Sequence, residues 1–335
     1  MHYERWKVGL GYLFAFLSSS YGVAQLNRNA SGSVVRYIEA PGIKRTLVPT
    51  IPQNIKLKIN GLIIESIKLR EESGAKLELA KNILYSKAHL EELTPNEYDY
   101  YGACSKERSI STFVVNKRSI SPTTINAFNY SSRINLLKSK IKCNTIKLSE
   151  ALESEDFFST GSFPRVEVKA PHGIQLINQS DIFDRIIRGK HISKRGVKLN
   201  NLVNYGEVII AGVGTLGENE TFCRTIFANE DLVGQLVSGE FLRMKTKSDI
   251  PSGYLYTWLS SDYGFRLIRH TQTGTKLCRP IQKLLLEQPV PIIDNESMLL
   301  IDKIIRDAHT KKYQANQLEL EAIRLVEQEI ENWNN

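Results

Sequence analysis

The feature that most constrains this chain is a repeat. Residues 11–22, Gly-Tyr-Leu-Phe-Ala-Phe-Leu-Ser-Ser-Ser-Tyr-Gly, return at 253–264 as Gly-Tyr-Leu-Tyr-Thr-Trp-Leu-Ser-Ser-Asp-Tyr-Gly, an offset of 242. The register continues without a gap. Gly32-Ser33 falls on Gly274-Thr275 and Val48-Pro49 on Val290-Pro291, so that 12 of the 41 positions in 11–51 are identical in 253–293. A repeat of this length sets the organisation of the chain before any single element is assigned. Residues 11–51 are predicted to end one domain and 253–293 to end its sister.

The repeat also decides how the N-terminus is read. Arg5 and Lys7 precede an apolar run over 9–17, and small residues follow to Ala24, which is the outline of a secretory leader. The run is too short to span a bilayer. A cleaved leader has no reason to copy an internal segment, so Met1–Gln25 is expected to be retained and the protein to stay in the cytoplasm, with no membrane partner.

Within each copy the pattern predicts a short buried helix (Tyr254–Leu259 in the second) that ends at Gly264. A polar loop follows, Asn27–Ser33 or His270–Lys276, and then a proline-marked strand, Val48–Pro52 or Pro289–Ile293. Beyond each copy lies a proline-free stretch with apolar residues at steps of three and four, Ile55–Leu84 and Met298–Trp333. Both are predicted to be long amphipathic helices. Their stripes suit an antiparallel two-helix seam, with Ile59, Leu62, Ile63 and Leu77 on one side and Ile301, Ile304, Ile305 and Leu325 on the other. The alternative is that each helix lies on its own domain. Asn126–Ile141 reads as a further helix. The expected organisation is a first-domain end at 1–52, a helix at 53–85, a polar linker at 86–109, a second domain at 110–294 and a helix at 295–335.

Composition excludes little but is consistent. With 335 residues, 41% of them hydrophobic, the chain is globular and long enough for two cores. A net charge of +8 leans toward a polyanionic partner. The four cysteines (Cys104, Cys143, Cys223, Cys278) lie far apart without a CxxC pair, which argues against a zinc ribbon or a thioredoxin-type site. There is no GK[ST] phosphate loop, no HExxH and no Asn-Pro-Pro-aromatic motif. Gly212-Val-Gly-Thr-Leu-Gly217 matches a dinucleotide fingerprint, but residues 218–227 carry no helical stripe to hold a pyrophosphate. A strand–turn–strand element is expected instead. Asp156, Glu167 and Lys169 have D…ExK spacing, so a Mg-dependent nuclease is one alternative.

Two basic stretches stand out. Residues 185–198 hold six Lys/Arg, one His and no acid, and 265–286 hold five Lys/Arg and no acid. Either is a solvated face or a surface that neutralises phosphates while neighbouring polar side chains read base edges.

Several segments, in order, resemble the DNA-specificity (S) subunit of type I restriction–modification systems. They are Gly173–Ile182, His191–Ser193, Gly206–Gly217, Tyr254–Ser261, Thr273–Thr275 and Val290–Ile293, the last three occurring twice. The resemblance implies an α+β target-recognition domain, with long spacer helices pairing as an antiparallel coiled coil, and a first recognition domain represented only by its end. It implies a sequence-specific, non-catalytic subunit that binds double-stranded DNA. Modification (methyltransferase) and restriction (motor and nuclease) subunits would dock on it. S-adenosylmethionine, ATP and Mg would act in those partners, with no cofactor in this chain. On this reading Arg185, Arg188, Lys190, His191, Lys194, Arg195 and Lys198 contact DNA together with Thr271, Gln272, Thr273, Thr275 and Lys276. A coiled-coil scaffold without DNA binding is the other alternative.

Overall fold

The computed structural model describes residues 2–32, 35–95, 97 and 112–334. Ser33, Cys104 and residues 96 and 98–109 of the expected linker lie outside them. The chain forms two compact units, one of Met1–Gly74 with Thr310–Asn335 and the other of Ala75–His309.

The first unit is helical. It contains α1 (His2–Ser18), α2 (Ser20–Asn29), α3 (Ala40–Lys44), the first part of α4 (Gln53–Lys87) and the last part of α10 (Asn295–Glu331). Tyr12, Ala15 and Phe16 pack with Ile51, Ile59, Ile63, Ala322 and Val326, and Leu62 and Leu325 lie half-buried at the edge of this core. Arg70 donates to Asn316 at 2.8 Å and to Glu319 at 2.9 Å, and Lys311 donates to Glu72 at 2.8 Å. Partners on the second helix fall in number as those on the first rise, so the two run antiparallel here. Packing of an apolar stripe supplies most of the stability of such helices, which is how α4 tolerates Gly61 and Gly74 within its span.

The second unit is mixed. Its elements are α5 (Ser132–Ser139), β1 (Thr145–Lys147), α6 (Leu148–Ala151), β2 (Gly173–Ile177), β3 (Lys190–Ser193), β4 (Val208–Ala211), β5 (Thr225–Phe227), β6 (Leu236–Val237) and β7 (Phe241–Met244). The repeat copy follows as α7 (Ser252–Ser260), α8 (Asp262–His270), β8 (Gln272–Thr273), β9 (Arg279–Pro280), α9 (Gln282–Leu286) and β10 (Pro289–Pro291). One three-stranded sheet has the order β3-β2-β6 and another β5-β4-β7, while β1 pairs β10 and β8 pairs β9. The main core joins Val208, Phe227 and Met244 of the sheet to Tyr254, Leu255 and Trp258 of α7 and to Ile301 and Ile305 of α10. Leu77 and Ile304 pack half-buried against it. Lys76–Asp307 at 2.7 Å and Lys87–Asp294 at 3.3 Å give the helix pair the same antiparallel sense in this unit.

The fold is therefore α+β, with two long helices that pack on each other. Both begin at the position the repeat dictates, Gln53 and Asn295. Three expectations need correction. Gly264 does not end a helix: Ser261 caps α8, with its Oγ accepting from Gly264 N–H at 3.1 Å. A Cβ at Gly264 would come within 2.2 Å of the Trp258 carbonyl, so glycine permits the close turn from one helix to the next. Asn126–Ile141 is a 3-10 turn (Ala127–Tyr130) followed by α5 rather than one helix. Asn126 accepts from Phe128 N–H at 3.1 Å, a side-chain bond that competes with the helical ladder. Val48–Pro52 is in no strand among the described residues, whereas Pro289–Pro291 forms β10 because β1 lies beside it.

Candidate nucleic-acid interface

The basic stretch 185–198 enters, forms and leaves β3, which pairs antiparallel with β2 from Gly173↔Ser193 to Leu176↔Lys190. Ile192 is buried and holds the strand down. Arg185, Arg188, Lys190, Lys194, Arg195 and Lys198 are exposed, and His191 is half-buried. Gly196, at φ +80°, turns the chain after Arg195. Lys190 is held by Glu167 at 2.6 Å, and this hydrogen bond pushes the ammonium above its ordinary pKa.

The second polar segment is a hairpin. Gln272 pairs with Pro280 and Thr273 with Arg279. Gly274 takes φ +106°, with the Leu277 carbonyl 2.6 Å from where a Cβ would stand. Thr273, Thr275 and Lys276 are exposed at its tip. Thr271 and Gln272 are buried, and the Thr271 hydroxyl donates to the Ile268 carbonyl at 2.7 Å. The Gln272 carbonyl accepts from Asn126 Nδ2 at 3.2 Å and Asn129 Nδ2 at 3.0 Å. Thr271 and Gln272 therefore anchor the loop, and its reachable side chains are those of the tip.

The glycine-rich turn links these regions. Residues 212–224 connect β4 to β5 with no helix, giving the expected strand–turn–strand element. Gly214 bridges to Cys278 of the hairpin, with backbone hydrogen bonds of 2.7 and 3.2 Å. Gln179, in the connection that leads into the basic stretch, accepts from Val213 N–H at 3.3 Å and donates to Thr221 at 3.1 Å.

The stretch 265–286 is less basic at its surface than in its composition. Arg266 and Arg269 are buried. Arg269 donates to the carbonyls of Leu216 at 3.0 Å and Gly217 at 2.7 Å, and its guanidinium lies 4.1 Å from the Phe265 ring centre. Arg266 pairs with Glu218 at 2.8 Å. These cations support the glycine-rich turn from within. Helical spacing on α8 could have shown this, since Arg266 and Arg269 fall three apart among Tyr263, Leu267 and Ile268.

The D…ExK residues have separate partners. Asp156 accepts from Gln282 Nε2 at 2.7 Å, and Glu167 takes Lys190. Lys169 is exposed before a 3-10 turn at Ala170–His172. Among the described residues no group of three or more His, Cys, Asp or Glu is placed to hold a metal ion, and no helix is long and apolar enough to cross a membrane. Cys143, Cys223 and Cys278 are free thiols, and burial pushes all three above the ordinary thiol pKa.

No protein-family model and no curated protein matches the chain. Among solved structures the fold resembles, at low identity, a type I restriction–modification S subunit from M. genitalium (12% identity, TM-score 0.41, 95% of this chain and 71% of that one). It also resembles the HsdS subunit from Thermoanaerobacter tengcongensis (12% identity, TM-score 0.34, 95% and 68%). A third likeness is to a structure from work on complex assembly and conformational transition of the type I R-M system (13% identity, TM-score 0.34, 94% and 69%).

Proposed function

We propose that this chain is a sequence-specific DNA-recognition and assembly subunit of a type I restriction–modification complex, cytoplasmic and without chemistry of its own. The observation that carries this reading is the repeat itself: an ordered set of recognition-domain segments whose closing part occurs twice, each copy leading into a long helix. Residues 110–294 are the recognition domain, and 1–52 are the corresponding end of a first one. The long helices at 53–85 and 295–335 act as a coiled-coil spacer. The exposed cations Arg185, Arg188, Lys190, Lys194, Arg195 and Lys198 contact phosphates and set the register, while Thr273, Thr275 and Lys276 reach base edges. Methyltransferase subunits bring S-adenosylmethionine, and restriction subunits bring ATP and Mg.

The test is equilibrium binding of duplex DNA by the full chain together with its modification subunit, followed across salt concentrations. Neutralising Arg188, Lys190, Lys194 and Arg195 together should weaken binding to every sequence alike and lower the salt slope by roughly one unit per lost contact. Thr273→Ala should cost about 1–3 kcal/mol on the cognate site and little elsewhere. Unchanged affinity and slope in the fourfold variant would place the surface elsewhere.

A further inference from the structure

Arg165, Glu167 and Lys169, which the DNA reading leaves unused, lie along the basic strand. Val168 N–H donates to the His191 carbonyl at 2.9 Å, Ser193 N–H donates to the Val166 carbonyl at 2.8 Å, and Glu167 bridges Ile192 between them. The segment 165–169 therefore runs antiparallel along the outer edge of β3, whose other edge is taken by β2. Pro164 closes the same side, since a Cβ at Gly196 would stand 3.0 Å from its ring. Alternation along a strand sends residues two apart to one side, and the Arg165 guanidinium lies 5.7 Å from the Phe163 ring centre.

The charge on this edge is lopsided. Glu167 is the only acid in 157–180, and 185–206 holds none. Continuing the register from Glu167↔Ile192 puts Arg165 level with Lys194 and Lys169 level with Lys190, so cation faces cation on both sides of the carboxylate. Like charges directly opposite one another on paired strands repel. Glu167 meets Lys190 at 2.6 Å, yet the two side chains are 65% and 67% exposed, and an exposed pair of this kind adds little to stability. Arg165, Lys169 and Lys194 are exposed and enter no ion pair among the described residues. One weakly held carboxylate thus stands amid four cations. That contributes little to folding and suits exchange of the carboxylate for another oxyanion.

We propose that residues 165–169 extend the DNA surface, and that Glu167 is a stand-in anion which a backbone phosphate displaces from Lys190. Arg165 and Lys169 then contact the neighbouring phosphates. The inference rests on the DNA-binding reading and adds to it a strand that no charge run marks, together with an acid that sets how tightly any duplex is held. Phosphate contacts carry no sequence information, so Glu167 acts on affinity and salt dependence rather than on the choice of sequence. The ExK spacing that suggested a nuclease is accounted for in the same way: its acid and its lysine serve one phosphate-binding edge.

The experiment measures binding of cognate and unrelated duplexes, across salt concentrations, by the full chain with its modification subunit. Glu167→Gln should tighten both duplexes alike, by roughly threefold or more, and steepen the salt slope by roughly one unit. Arg165→Gln with Lys169→Gln should weaken both and make the slope shallower by roughly two units. Glu167→Gln should melt with the wild type, and Glu71→Gln, which removes an exposed acid of the first unit, should change neither affinity nor slope. Unchanged affinity and slope in Glu167→Gln, or an equal gain from Glu71→Gln, would overturn the proposal. So would tighter binding of the modification subunit by Glu167→Gln with no change toward DNA, which would put an acidic protein on this edge. Weakened binding in the fourfold variant of Arg188, Lys190, Lys194 and Arg195, beside an unmoved Glu167→Gln, sinks this inference alone. A wild-type chain that binds no duplex sinks the DNA reading with it.

Discussion

Tyr12 and Tyr254 donate to the carbonyls of Pro49 and Pro291 at the same 2.7 Å, yet Val48 is 44% exposed and Val290 wholly buried. The two copies share a frame and differ in cover. Gly11 N–H donates to Asn60 as Gly253 N–H donates to Asp302, at 3.1 and 2.7 Å. Ser19 and Ser261 cap their helices alike, accepting from Gly22 N–H at 3.2 Å and Gly264 N–H at 3.1 Å. Burial tracks cover: it pushes Tyr12 up to about 12 and Tyr254 higher still. The lesson is that some fifty residues encode the frame locally, whereas burial of its edge depends on a sheet body far away in sequence.

The largest break in the comparison should come from Arg243, which belongs to the sheet body of the second unit. Its guanidinium meets Glu207 at 2.8 and 3.0 Å and the Asn201 carbonyl at 2.9 Å, with both charged side chains almost fully buried. Arg243→Ala leaves Glu207 buried without its partner and should cost about 3–5 kcal/mol. Hydrogen exchange should accelerate across the second unit and stay unchanged at 10–30; equal acceleration in both would mean that the first unit depends on this cover.

Acid should act next. Burial, with Lys138 nearby, lowers His270 from 6.5 to about 4. The unfolded chain therefore binds more protons between these values, and stability falls as pH drops from about 6.5 to 4. At about 1.36 kcal/mol per unit the whole window is worth about 3 kcal/mol. The corresponding residue in the first copy is Arg28, which is exposed. His270→Gln should flatten the pH dependence of exchange in α8, and a steep dependence persisting in that variant would assign it to another group.

The smallest effect sharpens the likeness. A Cβ at Gly22 would stand 2.1 Å from the Phe16 carbonyl, much as one at Gly264 stands against Trp258. Gly22→Ala and Gly264→Ala should each cost about 1–3 kcal/mol, in similar amounts, by thermal melting. A neutral Gly22→Ala would show that the first copy does not need the close helix turn.

Long periodic elements were legible. The stripe Ile59, Leu62, Ile63 announced α4, and the offset of 242 placed the starts of both long helices. What escaped is decided by distant partners. Val48-Pro49 and Val290-Pro291 read identically, and only β1, more than a hundred residues before β10, makes one of them a strand. Most strands are two to four residues long, too short for alternation to register. Gly264 is ambiguous in sequence because glycine both stops helices and allows close crossings, and the Ser three residues earlier is what separates the cases. Of the candidate interface, the cations of 185–198 are exposed, as a run without acids or an apolar stripe suggests. The Gln272 carbonyl is held by Asn126 and Asn129, far upstream, while Thr271 bonds Ile268 close by.

The hairpin at 272–280 has one more consequence. Its frame is closed by paired strands, by Gly274 at positive φ and by the bridge from Gly214 to Cys278. The entropy of ordering it is spent when the protein folds, so a ligand that engages the tip meets a surface already set. Thr273, Thr275 and Lys276 project from that frame without holding it together. Their identities can drift or be redesigned while the scaffold stays the same, so the surface of the tip is editable separately from the fold that presents it.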